Sequence, residues 1–306
     1  MIAGCLPVLC TPFDDSGAVS EPDFDRLIDF VSDCGADGCV YPGVASEVDT
    51  LTQEERARMV LRLGRRLGGG LPFVVGASAQ SVEEAVTHIR AGAEAGASAA
   101  MVMAPAQMGK DIDALRDYFD RIAARSDLPI MLQNAPAPIG AGLAPEDIAR
   151  IASAVDGIFW VKEETMPCGQ NLTRIRAAAG NDIRGVFGGA GGRYITDELA
   201  RGSLGTLPAA ELSDLHARLL ASWHAGDESE ARRLFMVSMP LLNFQAVFRM
   251  HMTKEVLRLR GVLCHTHVRG TGPRMDAGDL AELCALLDQL SPELSLYPPV
   301  QKATAT

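Results

Sequence analysis

The chain has 306 residues, of which 47% are hydrophobic, and it carries a formal net charge of −11. This acidic balance argues against a nucleic-acid partner, and no uninterrupted apolar stretch is long enough to predict a membrane span. The seven cysteines are scattered without a CxxC pair, and the amino terminus shows no charged leader with an apolar core. We therefore expect a cytoplasmic protein with reduced thiols.

Short apolar strand patterns alternate with amphipathic helical patterns along the chain. Strands are predicted near residues 4–10, 37–42, 72–76, 98–103, 129–133, 157–162, 182–187 and 203–207. Helices are predicted near residues 21–34, 52–67, 81–95, 111–125, 145–154, 168–179, 191–201 and 209–225. Capping-box patterns begin at Thr52 and Ser81, and Pro145 opens the fifth helix. Eight such units predict an α/β fold, a closed (β/α)8 TIM barrel, with an open doubly wound sheet as the alternative.

The pattern after residue 226 is helical only, with helices predicted near 227–238, 240–260 and 276–289. This stretch is too long to cap a single helix. We therefore expect three regions, which are a barrel over 1–226, a C-terminal helical bundle packed on it over 227–296, and a frayed tail over 297–306.

The carboxyl ends of the predicted strands select the candidate active-site residues, because that end of a parallel barrel carries the catalytic groups. Lys162 ends the apolar run 157–162 and is the only cation among the strand-end residues. The chain has four lysines against 24 arginines, so a lysine here does not belong to a general supply of surface ammonium groups. Burial disfavours the ammonium form, and a lysine in a dry pocket can attack a carbonyl to form a Schiff base. The alternative interpretation is a solvated lysine at a strand end.

Short motifs spread over nearly the whole chain resemble those of one superfamily. They are Thr11-Pro12-Phe13 with Gly17, Gly43-Val44-Ala45-Ser46-Glu47 with Leu51-Thr52, Gln133-Asn134-Ala135-Pro136, Val161-Lys162-Glu163, Gly188-Gly189, and Lys254 with Arg260-Gly261. Their order and spacing resemble the dihydrodipicolinate synthase and N-acetylneuraminate lyase superfamily of Schiff-base barrel lyases. The resemblance implies that Lys162 forms the Schiff base with a small-molecule 2-keto acid such as pyruvate. It also implies a homo-oligomer, a tetramer or a dimer, and no cofactor or metal, since the lysine supplies the electron sink.

Four departures from the family pattern bear on the reaction. Gln133 stands where the family has its catalytic tyrosine, and Val44 and Ala45 replace two hydroxyl residues. Pro138 falls near the arginine that grips the second carboxylate in dihydrodipicolinate synthases, and no tyrosine lies within 103–108. These departures argue against that synthase itself. A glutamine at this position is similar to relatives that dehydrate 2-keto-3-deoxy sugar acids or deaminate a cyclic imino acid.

The predicted site therefore combines catalytic and binding residues. The catalytic candidates are Lys162, Gln133, Ser46 and Glu47. The substrate-binding candidates are Thr11, Gly43, Val44, Ala45, Ser46, Gly188 and Gly189. Ser46 is expected to polarise a substrate hydroxyl, while Glu47 is either a base or a carboxylate that ties loop N–H groups. Gln133 can orient a hydroxyl but cannot take a proton, and Glu164 shares a strand face with Lys162.

The predicted function is dehydration of a 2-keto-3-deoxy sugar acid through a Lys162 imine and enamine, the work of a carbon–oxygen lyase. Two alternatives stay open within the family, a pyruvate-dependent aldolase and a condensation like that of dihydrodipicolinate synthase. A third is a non-catalytic barrel that binds a keto acid. The glycine loop 188–192 also admits a phosphate site, and His265-Thr266-His267 lacks a third metal ligand of matching spacing.

Overall fold

The computed structural model describes residues 2–295. Its first part contains eight short parallel strands, each followed by a helix. The strands are β1 (Gly4–Cys5), β2 (Cys39–Tyr41), β3 (Phe73–Gly76), β4 (Ala99–Met103), β5 (Ile130–Asn134), β6 (Ile158–Glu163), β7 (Gly185–Phe187) and β8 (Gly205–Thr206). The helices are α1 (Glu21–Asp33), α2 (Gln53–Leu67), α3 (Val82–Glu94), α4 (Ile112–Ala123), α5 (Pro145–Ala154), α6 (Cys168–Ala179), α7 (Ile195–Ala200) and α8 (Ser213–His224). The order agrees with the prediction, although most strands are shorter.

The strands close into a ring. Strands β2 to β7 form one parallel sheet in chain order, and β8 pairs with β1. Isolated parallel bridges join Gly188 to Thr206 and Val8 to Val40, which link β7 to β8 and β1 to β2. The predicted (β/α)8 TIM barrel is confirmed, and the open doubly wound sheet is wrong.

Apolar side chains fill the inside of the barrel. The interior cluster comprises Ile2, Leu6, Val8, Val40, Val74, Ala99, Met101, Met131, Trp160, Phe187 and Leu207. Trp160 belongs to this cluster and is 2% exposed. Because side chains alternate along a strand, Lys162 shares the inward face of β6 with Trp160. Trp160 therefore fills the barrel interior beneath the lysine.

The predicted helix starts are also present. The Thr52 hydroxyl accepts a hydrogen bond from the Glu55 N–H at 3.1 Å, and Glu55 Oε2 accepts one from the Thr52 N–H at 3.0 Å. Ser81 caps α3 through the Glu84 N–H. Pro145 opens α5, where its missing N–H leaves no helical bond unmade.

The C-terminal part contains three further helices, α9 (Glu228–Phe248), α10 (Met250–Leu259) and α11 (Ala277–Leu290). The predicted break near residue 239 is wrong, because α9 continues through Pro240. Its buried face runs on both sides of the proline, with Leu234 before it and Leu242 after it. This packing outweighs the lost hydrogen bond. The break falls at Arg249, whose φ of 47° interrupts the helix.

Helices α9 to α11 share an apolar cluster with α8, so the extension packs directly on the barrel. The division at residue 226 stays a prediction, and the predicted tail over 297–306 lies outside the described residues. Between residues 2 and 295, no helix combines the length and apolar character needed to cross a bilayer.

Candidate active site

Lys162 and Gln133 lie side by side at the carboxyl ends of two neighbouring strands. Strands β5 and β6 run parallel, with Gln133 opposite Lys162 and Asn134 opposite Glu163. Lys162 is only 4% exposed. This is the end of the barrel at which parallel β/α enzymes assemble their active sites.

The Lys162 ammonium group forms an ion pair with Glu164. The Lys162 Nζ to Glu164 Oε1 distance is 3.1 Å. The Gln133 amide donates to Glu164 Oε2 at 2.6 Å, and the Ala190 N–H donates to Oε1 at 3.1 Å. The Glu164 N–H in turn donates to the Asn134 carbonyl at 3.0 Å, which fixes the backbone just beyond β6. Three donors from three different strand ends therefore hold this carboxylate beside the lysine.

Glu163 and Glu164 are adjacent in the chain, but their pKa values are shifted in opposite directions. Burial raises the pKa of the Glu164 carboxyl, but the Lys162 charge and the Gln133 and Ala190 donors outweigh it and hold that pKa below its ordinary value. Burial raises the pKa of Glu163 to about 7, although Thr165 and Asn134 donate hydrogen bonds to it. Glu164 is therefore a carboxylate at neutral pH.

A cavity of about 250 Å³ opens above the lysine. Lys162, Glu164 and Gln133 line it together with residues from six loops and from the junction of α9 and α10. The other lining residues are Val8, Gly43, Val44, Ala45, Ala135, Pro136, Ile139, Met166, Ala190, Gly191, Arg193, Leu207, Pro208, Ala209, Gln245, Ala246, Arg249 and Met250. Of the residues predicted from the sequence, Lys162, Gln133, Gly43, Val44 and Ala45 thus meet at one site.

The predicted hydroxyl residues do not line this cavity. Ser46 is fully buried, donates to the Leu9 carbonyl at 2.5 Å and accepts from the Gly43 N–H at 2.8 Å. The Thr11 hydroxyl donates to the Ser46 carbonyl at 2.7 Å. Because both hydroxyl groups are satisfied inside the protein, they shape the loop after β2 and do not contact a ligand in the cavity.

Glu47 is also directed away from the cavity. Its Oε1 pairs with Lys254 Nζ at 2.5 Å, and its Oε2 accepts from the Gly270 N–H at 2.7 Å. Both Glu47 and Lys254 are buried. Of the two roles considered for Glu47, the contacts favour the structural one, in which the carboxylate ties the C-terminal part to the loop after β2.

The two glycines after β7 make room for carboxylates. A side-chain carbon at Gly189 would lie 2.6 Å from Glu164 Oε1 and 2.8 Å from Lys162 Cε. One at Gly188 would lie 1.8 Å from an oxygen of the buried Glu198. Neither glycine lines the cavity. The acidic neighbours, and the bond from the Ala190 N–H to Glu164, also argue against a phosphate site at this loop.

Sequence reasoning missed the polar residues on the far side of the cavity. Arg193 lies in the loop after β7, and its Nη1 donates to Gln245 Oε1 of α9 at 2.6 Å. Arg249 lies at the junction of α9 and α10. No motif marked these residues, because the C-terminal helices reach the barrel mouth only in three dimensions. Strand alternation did mark Glu164, although β6 ends one residue before it.

A second cavity, of about 440 Å³, lies between α2 and α3 on the outside of the barrel. Gln53, Ser81, Glu84 and His88 contribute to its lining, and Lys162 does not. We place the chemistry at the smaller cavity, because it alone of the two contains strand-end residues. Among residues 2–295, no group of three or more His, Cys, Asp and Glu side chains is arranged to hold a metal ion.

Comparison with known proteins agrees with this architecture. A sequence model of the dihydrodipicolinate synthetase family matches residues 1–289. The chain belongs to the dihydrodipicolinate synthetase family. This assignment makes the protein a lyase and confirms the resemblance seen in the motifs.

Relatives within the dihydrodipicolinate synthetase family differ in their named reactions. L-2-keto-3-deoxyarabonate dehydratase of Azospirillum brasilense is 26% identical over 293 residues, which cover 94% of each chain. A 4-hydroxy-tetrahydrodipicolinate synthase of Pelobacter propionicus is 28% identical over 291 residues, covering 94% of this chain and 98% of the other. The crystal structure of dihydrodipicolinate synthase from Rhodopseudomonas palustris superposes with a TM-score of 0.87 at 25% identity, covering 94% of this chain and 98% of that one.

Proposed function

We propose that the protein is a Schiff-base lyase that dehydrates a 2-keto-3-deoxy sugar acid. The observation that carries this proposal is the ion pair of the buried Lys162 with Glu164 in the cavity, with the Gln133 amide on the carboxylate. It supplies a nucleophilic amine and a proton acceptor within one hydrogen bond of each other, the arrangement that covalent catalysis by an amine requires.

The reaction begins when Lys162 transfers a proton to Glu164 and attacks the C2 carbonyl of the substrate. Loss of the carbonyl oxygen as water leaves a protonated imine between Nζ and C2. The substrate carboxylate at C1 is then bound by the N–H groups of Val44 and Ala45, which line the cavity. The N–H of Ser46 is already used, because it donates to the Gly43 carbonyl.

The protonated imine withdraws electrons and makes the C3 proton acidic. Glu164, which has delivered its proton to the departing water, accepts the C3 proton and leaves an enamine. The enamine electrons then expel the C4 hydroxyl group, which takes that proton and departs as water. Hydrolysis of the resulting unsaturated imine releases the product and restores the Lys162 amine. The net change is the loss of one water molecule.

Two features support dehydration over condensation with a second substrate. Gln133 stands where the superfamily's tyrosine relay is expected, and its amide hydrogen-bonds the Glu164 carboxylate. Pro138 stands near the position of the arginine that would hold a second carboxylate. The Azospirillum brasilense relative, named as a dehydratase of this substrate class, supports the same choice. Aldol cleavage is the second candidate, because the same enamine chemistry breaks the C3–C4 bond.

The test is product analysis with Glu164→Gln and Glu163→Gln variants, using a panel of 2-keto-3-deoxy sugar acids whose far end is either a hydroxymethyl group or a carboxylate. The wild type should yield a product that has lost one water and no pyruvate. Glu164→Gln should lower kcat about 100- to 10,000-fold, the usual contribution of a positioned acid–base group. Glu163→Gln is the matched control, because Glu163 precedes Glu164 directly and does not line the cavity.

Release of pyruvate would show that the protein catalyses aldol cleavage and not dehydration. Equal losses of kcat in Glu164→Gln and Glu163→Gln would contradict the proposed acid–base role of Glu164. A folded wild type that turns over no 2-keto-3-deoxy acid would contradict the proposed function.

A further inference from the structure

Two arginines line the cavity without a salt bridge to any residue between 2 and 295, and this bears on the substrate. We infer that the substrate is a dianion, a 2-keto acid whose far end carries a second carboxylate held by Arg193 and Arg249. This inference rests on the proposed function, since it assumes that the keto end reacts at Lys162.

The charges that line the cavity do not balance. Four charged side chains contribute to it, namely Lys162, Glu164, Arg193 and Arg249. Lys162 and Glu164 neutralise each other. Within residues 2–295, neither arginine forms a salt bridge, although the chain has 39 acidic residues against 28 basic ones. The cavity lining therefore carries a net positive charge, with Arg193 half-buried and Arg249 exposed to solvent.

The Arg193 side chain is held in place by a hydrogen bond. Its Nη1 is fixed by Gln245 Oε1 at 2.6 Å, and its own position is half-buried. Burial lowers the pKa of Arg193; the charges of Tyr194 and Glu211 oppose this shift, and the charge of Arg249 adds to it. An anion beside Arg193 would therefore relieve an existing cost. A guanidinium group offers several donors in a planar fork, which suits the two oxygens of a carboxylate.

Lys162 and Arg193 approach the same short loop. Gly189 lies against Lys162, and the space beside Gly191 is bounded by Arg193 Nη1 and Gln245 Oε1. Both side chains line the same cavity of about 250 Å³, so a small keto acid held at Lys162 can extend toward Arg193.

The two ends of the dianion are separated around the barrel mouth. Val44 and Ala45, proposed for the C1 carboxylate, follow β2, whereas Arg193 follows β7. Strands β1 and β8 lie between these two strands in the ring. A 2-keto-3-deoxy acid with a neutral hydroxymethyl end would lack the contact with the guanidinium groups, and we expect it to bind more weakly than one with a far carboxylate.

The experiment compares two acids of equal length that differ only in the far carboxylate, 2-oxoglutarate and 2-oxopentanoate. Each is trapped on the protein with borohydride over a range of concentrations, and the half-saturating concentration is read by intact mass. The wild type should be half-saturated by 2-oxoglutarate at about 10- to 100-fold lower concentration, as expected for charge-assisted hydrogen bonds. Arg193→Gln and Arg249→Gln should each lose most of this preference, because the half-saturating concentration should rise more for 2-oxoglutarate than for 2-oxopentanoate or pyruvate.

Arg116→Gln, on the exposed face of α4, is the matched control and should keep the preference. Equal half-saturation by the two acids in the wild type would overturn the inference and leave the proposed function standing. An equal loss of pyruvate and 2-oxoglutarate trapping in the arginine variants would also overturn it, because the arginines would then bind the C1 carboxylate. If no keto acid is trapped, the proposed function fails. In that case, the thermal shift of the protein with each acid tests the preference for the dianion independently of Schiff-base formation.

Discussion

Removing the ammonium group of Lys254 should destabilise the protein strongly without disabling its site. Lys254 is 0% exposed, donates to Glu47 Oε1 at 2.5 Å and to the His267 carbonyl at 2.7 Å, and lies 4.4 Å from the centre of the Phe13 ring. In Lys254→Met the Glu47 carboxylate stays buried but loses its counter-charge. Breaking a buried pair from one side costs about 3–5 kcal/mol. At about 2 °C of Tm per kcal/mol for a chain of this size, Tm should fall by roughly 6–10 °C.

The assay is urea unfolding followed by circular dichroism, with a double-mutant cycle of Lys254→Met and Glu47→Gln. The double variant should recover much of the loss, because it leaves no unpaired buried charge. Arg66→Met is the control, since Arg66 forms an exposed ion pair with Asp29 and should cost less than about 1 kcal/mol. Borohydride trapping of pyruvate on the folded variants should stay within a few-fold of the wild type.

A stability loss in Lys254→Met no larger than that in Arg66→Met would refute the argument from burial. If Glu47→Gln stays folded but is no longer trapped with pyruvate, Glu47 takes part in the chemistry and its assignment as a structural residue is wrong.

Two further predictions concern Gly189 in the loop after β7 and Glu198 in α7. Gly189→Ala should lower the trapping rate at least about 10-fold with little change in Tm, because the new methyl group would press on Lys162 Cε and Glu164 Oε1; an unchanged rate would contradict the close approach. Burial and the nearby Glu164 charge raise the pKa of Glu198 from its ordinary 4.5 to about 8. The folded state therefore keeps a proton that the unfolded state releases, and the free energy of unfolding should fall as pH rises from about 4.5 to about 8. Glu198→Gln should remove that decline and raise Tm at pH 9, and a parallel decline in both proteins would show that another group causes it.

The barrel could be predicted from the sequence because its signals are local. Apolar runs of strand length alternate with amphipathic segments, and caps such as Thr52 and Pro145 mark helix starts that the structure has. The predicted helix break near Pro240 was wrong, because it relied on a local signal alone. A proline weakens a helix locally, but the buried face of α9 depends on tertiary packing that the local sequence does not reveal.

The site could be predicted only where it follows the strand ends. Lys162 and Gln133 are placed by strand register, and both line the cavity. Ser46 and Glu47 lie close to them in the motif, yet their side chains turn into the protein, which depends on partners as distant as Lys254. Arg193 and Arg249 carry no motif, and their approach to the cavity depends on how α9 packs on the barrel.

The most direct test of the central claim is borohydride reduction in the presence of pyruvate, with peptide mapping of the product. The account predicts one stable adduct, on the peptide that contains Lys162, which is lost in Lys162→Ala. An adduct on Lys254 or Lys110, or no adduct in a well-folded sample, would contradict the assignment of Lys162 as the Schiff-base lysine.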